Sequence, residues 1–376
     1  MTDRSTPLGP DTTIRIGVAG LGYWGPNLAR NFAAIPGCEL VWCCDGAAAA
    51  RSRAASQFPG VSVTAELDDL LVDPSLHAIA LATPVPTHAE LAVRVLEAGK
   101  DCFVEKPLAF SLPETEEVAR AARKAGLPFM VGYHKRFDPA YLRARDAVRR
   151  MRELRYVEVT VLHPDDDAYR THHALLPAPA TPWAPRPEAE GDAATAERVT
   201  RGAFKACVDG IVPASAPLPH RVAAFILFES LIHDIDAVRG VLGEPEGVVS
   251  AHAWRGGFAQ TSLSRFPGEV RASLSWISVP GLKHYEERLR FVGTDARVTL
   301  VFPSPYLRHA PTALSIERGD GEALVVEDHL VSYDEPFRAE LHYFRDCIQS
   351  GRAPAPSLED ALGDARWITE IAAAYS

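Results

Sequence analysis

Three clusters of residues in this chain have types and spacings suited to chemistry. Gly20-Leu-Gly-Tyr-Trp-Gly25 has the pattern GxGxxG and directly follows the β-branched apolar run Thr13–Ala19. A strand, a glycine turn and a helix in that order form a phosphate cradle. Gly20 allows the tight turn, Gly22 lets a pyrophosphate approach the backbone, and Gly25 lets the helix close on the strand. Tyr23 and Trp24 complete the turn, and Pro26 suits a first helical turn, where its missing N–H costs nothing. The helix start then offers free amides and a positive dipole to phosphates. Asp45 ends the next strand, 20 residues beyond Gly25. A carboxylate there accepts hydrogen bonds from ribose hydroxyls and repels a 2′-phosphate. Arg51 and Arg53 are the nearby cations able to bind such a phosphate, so the expected cofactor is NAD, with NADP second.

Glu105-Lys-Pro107 closes the apolar run Asp101–Glu105. At the carboxyl end of a parallel strand, Lys106 faces the ligand crevice and can serve chemistry. It is equally readable as a solvated strand-end lysine. Glu229 and His233 stand four apart in a helical pattern and so share a face. A carboxylate at that spacing can orient a histidine as general base, and the alternative is a structural histidine. A zinc pair lacks a third ligand, so no metal is expected.

The elements that must position these residues change style midway. Up to Pro128–Tyr133, apolar strands (Glu39–Asp45, Val61–Val63, His77–Thr83, Asp101–Glu105) alternate with amphipathic helices (Thr87–Ala98, Leu112–Ala125). Such alternation predicts a doubly wound parallel sheet, hence an N-terminal Rossmann domain over residues 14–138 after a disordered lead-in at 1–13. Beyond a helix from Pro139 to Arg150, period-2 alternation dominates: Tyr156–His163, Gly247–Trp254, Phe258–Phe266, Glu269–Val279, Glu286–Val292, Ala296–Phe302 and Ala323–Leu330. This predicts an α+β domain, residues 139–376, with a large, mostly antiparallel sheet open on one face. Such a face invites oligomerisation, as a homodimer or homotetramer. One helix, Val222–Val241, is embedded in it, and two helices within 335–374 close the chain. Residues 164–221 fit neither pattern and exceed an ordinary connection. They form either a lid or interface element, helical over Glu188–Val208, or a disordered insertion.

Composition narrows the function classes. The chain has 376 residues, enough for two domains, and a net charge of −10, which argues against nucleic acid and acidic membranes as partners. No apolar run is long enough to span a bilayer, and Met1–Asp11 lacks signal-peptide character. The six cysteines show no CxxC or zinc-like spacing and read as reduced core residues of a cytoplasmic protein.

Together, Ala19-Gly-Leu-Gly-Tyr-Trp-Gly-Pro-Asn27, Ala82-Thr-Pro-Val-Pro-Thr-His88, Glu105-Lys-Pro107, Gly132-Tyr-His-Lys-Arg-Phe-Asp-Pro139 and His233-Asp-Ile-Asp236 resemble the Gfo/Idh/MocA oxidoreductases. Phe337–Cys347 and Ser357-Leu-Glu-Asp-Ala361 resemble the family's ending, and only residues 164–221 stand outside the likeness. The resemblance implies oxidation of a secondary hydroxyl of a sugar, nucleotide sugar or cyclitol with NAD(P), or the reverse. It also implies the roles of single residues. Lys106 hydrogen-bonds the reacting oxygen beside the nicotinamide, and His233 takes its proton. Glu229, where the family commonly has Asp, orients the base or binds substrate. Thr83, Pro84 and His88 line the cofactor, with Glu105 on the nicotinamide side. Lys135 and Arg136 face substrate or support the site, and Tyr285, in His284-Tyr-Glu286, reaches substrate. The Tyr-Trp-Gly-Pro-Asn turn resembles members acting at C3 of sugars, and the composition is of a kind associated with aminosugar and antibiotic-sugar pathways. Two other activities fit the same motifs: a glycosidase assisted by tightly held NAD, and a non-catalytic dinucleotide-binding regulator.

Overall fold

The computed structural model describes residues 8–165, 169 and 191–376. The start of the expected lead-in and the centre of the 164–221 segment, including its first Pro-rich piece, lie outside the described residues. Those described divide into two compact units, one running to Tyr133 and including Glu340–Leu362, the other comprising His134 to Ala339 and Gly363–Ser376.

The first unit runs β1 (Ile14–Ala19), α1 (Gly25–Ala34), β2 (Cys38–Cys44), α2 (Ala48–Gln57), β3 (Ser62–Thr64), α3 (Leu67–Val72), β4 (Ala78–Leu81), α4 (His88–Glu97), β5 (Asp101–Glu105), α5 (Leu112–Ala125) and β6 (Phe129–Gly132). The strands pair in parallel in the order β3-β2-β1-β4-β5-β6. This is the doubly wound order, whose reversal beside β1 opens a crevice at the carboxyl ends of β1 and β4. The central strands read as apolar runs because both faces are covered; every residue of β4 and β5 is buried. Helix α5 shows how local sequence sets a boundary. The Ser111 hydroxyl caps the Glu114 amide and bonds the Glu114 carboxylate, and Gly126 ends the helix at φ 65°.

The second unit holds α6 (Pro139–Val148), β7 (Leu154–His163), α7 (Gly191–Arg198), α8 (Gly202–Asp209) and α9 (Leu218–Ile226). A π-turn, Leu227–Leu231, passes directly into α10 (Ile232–Leu242). Strands β8 (Gly247–Trp254), β9 (Ala259–Phe266), β10 (Val270–Ser278), β11 (Glu286–Gly293), β12 (Ala296–Phe302), β13 (Ala313–Asp320) and β14 (Ala323–Leu330) follow. The chain ends in α11 (Pro336–Ser350) and α12 (Leu358–Ala373). The sheet order is β14-β13-β12-β11-β7-β10-β9-β8. Every pairing is antiparallel except that of β7 with β10. Alternate residues of one face, Val157, Val159, Val161, Leu274, Leu289, Phe291, Val298 and Leu300, form a buried core, while the opposite face remains partly open.

The expected strands are present, with ends shifted by at most two residues. Three elements were not anticipated: α2, α3 and β13. The helical stretch expected over Glu188–Val208 is, in its described part, two short helices broken at Gly202, where φ is 59°. Their buried Phe204 packs edge-on against Phe225, and Arg221 bonds both Asp209 and the Val199 carbonyl, so this part is packed structure.

Candidate active site

In the first unit, the glycine turn is dictated by contact distances. A Cβ on Gly20, at φ 90°, would lie 2.4 Å from the Ala82 carbonyl oxygen, and one on Gly25 would lie 1.7 Å from the Gly20 oxygen. Gly22 is different. Nothing lies within 4 Å of where its Cβ would stand, so the cradle is open there. Helix α1 begins without a side-chain cap; Pro26 carries no amide hydrogen, and the Asn27 amide donates to the Trp24 carbonyl. The open turn at Gly22 is the geometry a pyrophosphate needs. Asp45, just past β2, accepts from the amides of Leu21 and Ala47, each at 2.7 Å. Its carboxylate is thereby fixed against the turn. Arg51 donates to the Asp45 and Gly46 carbonyls and Arg53 to the Leu21 carbonyl, so both guanidiniums brace the rim of this loop.

The end of β5 is tied into the same turn. Lys106 is half-buried and precedes a cis peptide bond to Pro107. The Glu105 carboxyl is buried and accepts from the Trp24 indole. Burial pushes it up to about 7, against the pull of the Lys106 charge. His88 is almost wholly buried, its ring nitrogens 2.8 Å from the Thr83 and Pro107 carbonyls, so it ties the end of β4 to the Glu105–Pro107 segment. Thr83 is half-buried and Pro84 exposed at the mouth of β4. Sequence reasoning missed Glu340, a fully buried carboxyl on α11 driven well above its usual range by burial and by Glu105. Its signal was available: Glu340 stands in the buried register of Leu341 and Phe344, where an acid is out of place.

In the second unit, Glu229 lies within the π-turn and His233 one turn later on α10, both half-buried. The expected continuous helix is therefore interrupted by a wider turn. Such turns are rare and occur frequently at functional sites. Lys135 is buried, with its ammonium 2.7 Å from Asp234 and 2.5 Å from Glu287. The Tyr285 phenol hydrogen-bonds Glu287 and is raised well above its ordinary range, chiefly by burial. Its amide donates to the Tyr169 hydroxyl, and its ring meets His163 edge-on. Arg136 bonds Asp236 at 2.9 Å and fills the space left by Gly240. Sequence reasoning also missed His134, whose ring lies against that of His233. Among the described residues, no group of three or more His, Cys, Asp or Glu side chains is arranged to hold a metal ion.

A doubly wound sheet with an open glycine cradle, joined to a unit with a large mostly antiparallel sheet, defines a class: two-domain dinucleotide-dependent oxidoreductases. Residues 14–133 match the model of the Gfo/Idh/MocA oxidoreductase family, NAD-binding Rossmann fold. Over 362 residues the chain is 25% identical to scyllo-inositol 2-dehydrogenase (NAD(+)) of Bacillus subtilis, covering 93% of this chain and 90% of that protein. It is 24% identical over 359 residues to myo-inositol 2-dehydrogenase of Thermotoga maritima, covering 92% of each. The fold is similar to that of a 3-ketoreductase from Actinomadura kijaniata crystallised with NADP and TDP-benzene, with a TM-score of 0.72 at 19% identity over 97% of this chain and 98% of that one. Residues 14–133 thus carry the NAD-binding unit of the Gfo/Idh/MocA oxidoreductases, and over nine-tenths of its length the chain is similar to inositol dehydrogenases. Among the described residues no helix is long and apolar enough to cross a membrane.

Proposed function

We propose that this enzyme oxidises a secondary ring hydroxyl of a cyclitol, sugar or nucleotide sugar with NAD, or catalyses the reverse reduction. The observation that carries the reading is Lys106, half-buried at the carboxyl end of β5 in the unit that bears the open cradle at Gly22. Relatives spanning nine-tenths of the chain are named as inositol 2-dehydrogenases, which supports a CH–OH substrate.

A hydroxyl is a very weak acid, so hydride loss from its carbon requires a base for the proton and a cation for the developing oxyanion. Bound NAD supplies the hydride acceptor. Lys106 gives the oxygen its positive partner. His233 accepts the proton, its imidazole suited to that task near neutrality. Glu229 orients His233 or binds a neighbouring hydroxyl. Gly20, Gly22, Tyr23, Trp24 and Gly25 hold the dinucleotide, with Thr83, Pro84, His88 and Glu105 along it. Asp45 takes the ribose hydroxyls, which favours NAD over NADP. Lys135 and Arg136 act through their buried ion pairs as supports, and Tyr285 lies at the substrate side. The exposed Val301, Val326 and Leu330, on the open face of the sheet, suit a homo-oligomer built through that face.

The test is a panel of inositols, free sugars and UDP-sugars with NAD and with NADP, followed by absorbance of the reduced cofactor. Accumulation of NADH with a cyclitol or sugar is expected. Bound NAD with no reduced cofactor from any polyol across the pH range would overturn the dehydrogenase reading.

A further inference from the structure

His134 opens a short helical turn, His134–Phe137, in the same unit as His233. Its ring meets the His233 ring edge to face, with centroids 4.5 Å apart and planes at 69°. It also stacks on Phe337, with centroids 3.9 Å apart and planes at 24°. His134 is 7% exposed, so this contact is internal. A histidine left to itself turns among three χ1 wells and a broad χ2, and each turn carries its ring nitrogens to a different place. A base is effective only when one nitrogen is held within hydrogen-bond reach of the proton it removes. A second ring packed against it, itself pinned by a phenylalanine, removes those alternatives.

We propose that His134, backed by Phe337, is a positioning residue for His233, fixing the orientation of the base through ring packing. The proposal rests on the reading of His233 as the base. Phe337 and His134 come from segments remote from α10 in sequence, so the wall is assembled only by the fold.

Exchange of the imidazole Cε1 hydrogen for deuterium, read peptide by peptide in the full-length protein, reports on His233 without any substrate. His134→Ala should speed exchange at His233 several-fold. With myo-inositol, scyllo-inositol and UDP-glucose as probes, kcat on whichever is oxidised should fall by about tenfold or more, with KM and NAD affinity nearly unchanged. His134→Phe keeps a ring against Phe337 and should restore most of both readouts, and Phe337→Leu should give a smaller loss in the same direction. Exchange and kcat unchanged in His134→Ala overturns the proposal, as does His134→Phe behaving no better than His134→Ala at intact thermal stability. His233→Asn separates the two readings. Retained turnover removes the base itself, whereas lost turnover beside a wild-type His134→Ala removes only the positioning.

Discussion

Lys135 holds its ammonium 2.7 Å from Asp234 Oδ1, with both side chains at most 3% exposed. Glu287 completes the cluster from β11 at 2.5 Å. One cation thus serves two buried carboxyls, and a low-dielectric interior does not tolerate the surplus negative charge. Burial, then the neighbouring Glu287, push the Asp234 carboxyl up to about 8, while Lys135 opposes them and is itself raised by both acids. Removing the cation leaves this buried carboxyl cluster without its positive partner. Lys135→Met should therefore lower unfolding free energy by about 3–5 kcal/mol, measured by denaturant titration. A loss under about 1 kcal/mol would show that the cluster is not a structural keystone.

The same cluster sets a pH dependence. Asp234 titrates at 3.8 in its ordinary state and at about 8 when folded. Across that window the folded protein binds the extra proton, so stability falls as pH rises. Asp234→Asn removes the titrating group while keeping its shape, and should flatten the decline between pH 5 and 8. An unchanged slope in thermal unfolding across that range would place the proton elsewhere.

How much of this was legible in the sequence follows the range of the forces involved. Gly20 and Gly25 were legible through the GxGxxG spacing after an apolar run; a Cβ on Gly25 would strike the nearby Gly20 carbonyl, although the clash at Gly20 is with Ala82 on a remote segment. Ala296–Phe302 was legible because Val298, Leu300 and Phe302 alternate in the buried register, with Val301 the apolar exception on the open face. Helix α2 was not, because Ala50 and Ala54 are its only buried residues and make no apolar stripe. Strand β13 buries only Leu314 and Ile316 before ending in Glu-Arg-Gly-Asp, a pattern that reads as a loop. The Asp234–Lys135 pair, the His134 wall and the Glu105–Glu340 contact each join residues far apart in the chain. No local spacing encodes them, and only tertiary packing reveals that a basic motif residue such as Lys135 is sealed in an ion cluster.

The glycine turn separates folding from binding. Gly25→Ala forces a Cβ into the Gly20 carbonyl and should cost on the order of 3 kcal/mol or more. Gly22→Ala meets nothing within 4 Å, so stability should change by less than about 1 kcal/mol. Its methyl group nevertheless enters the space a pyrophosphate needs. NAD affinity by calorimetry should drop at least about tenfold. Normal NAD binding by Gly22→Ala would move the dinucleotide away from this turn.

Asp45 links cofactor choice to loop structure. Its carboxylate already receives the Leu21 and Ala47 amides, so Asp45→Ala should both loosen the loop and remove the ribose acceptor. NAD should weaken more than NADP, because the repulsion of a 2′-phosphate disappears while Arg51 and Arg53 remain at the rim. Calorimetry with both cofactors reads the ratio directly. A larger loss for NADP would reverse the preference.

Lys106 offers the sharpest separation of chemistry from binding. It is half-buried at the end of β5, while two of the groups proposed to hold the dinucleotide, the turn at Gly22 and the Asp45 carboxylate, lie between β1 and α1 and just past β2. A residue that stabilises charge developing only in the transition state lowers kcat without changing ground-state affinity. Lys106→Ala should therefore lose turnover by a factor on the order of a thousand while NAD binding changes little. Lys106→Arg retains the charge but spreads it over a planar fork, and should recover only a small part. Parallel loss of NAD affinity would recast Lys106 as a cofactor ligand, and retained turnover would remove it from the reaction.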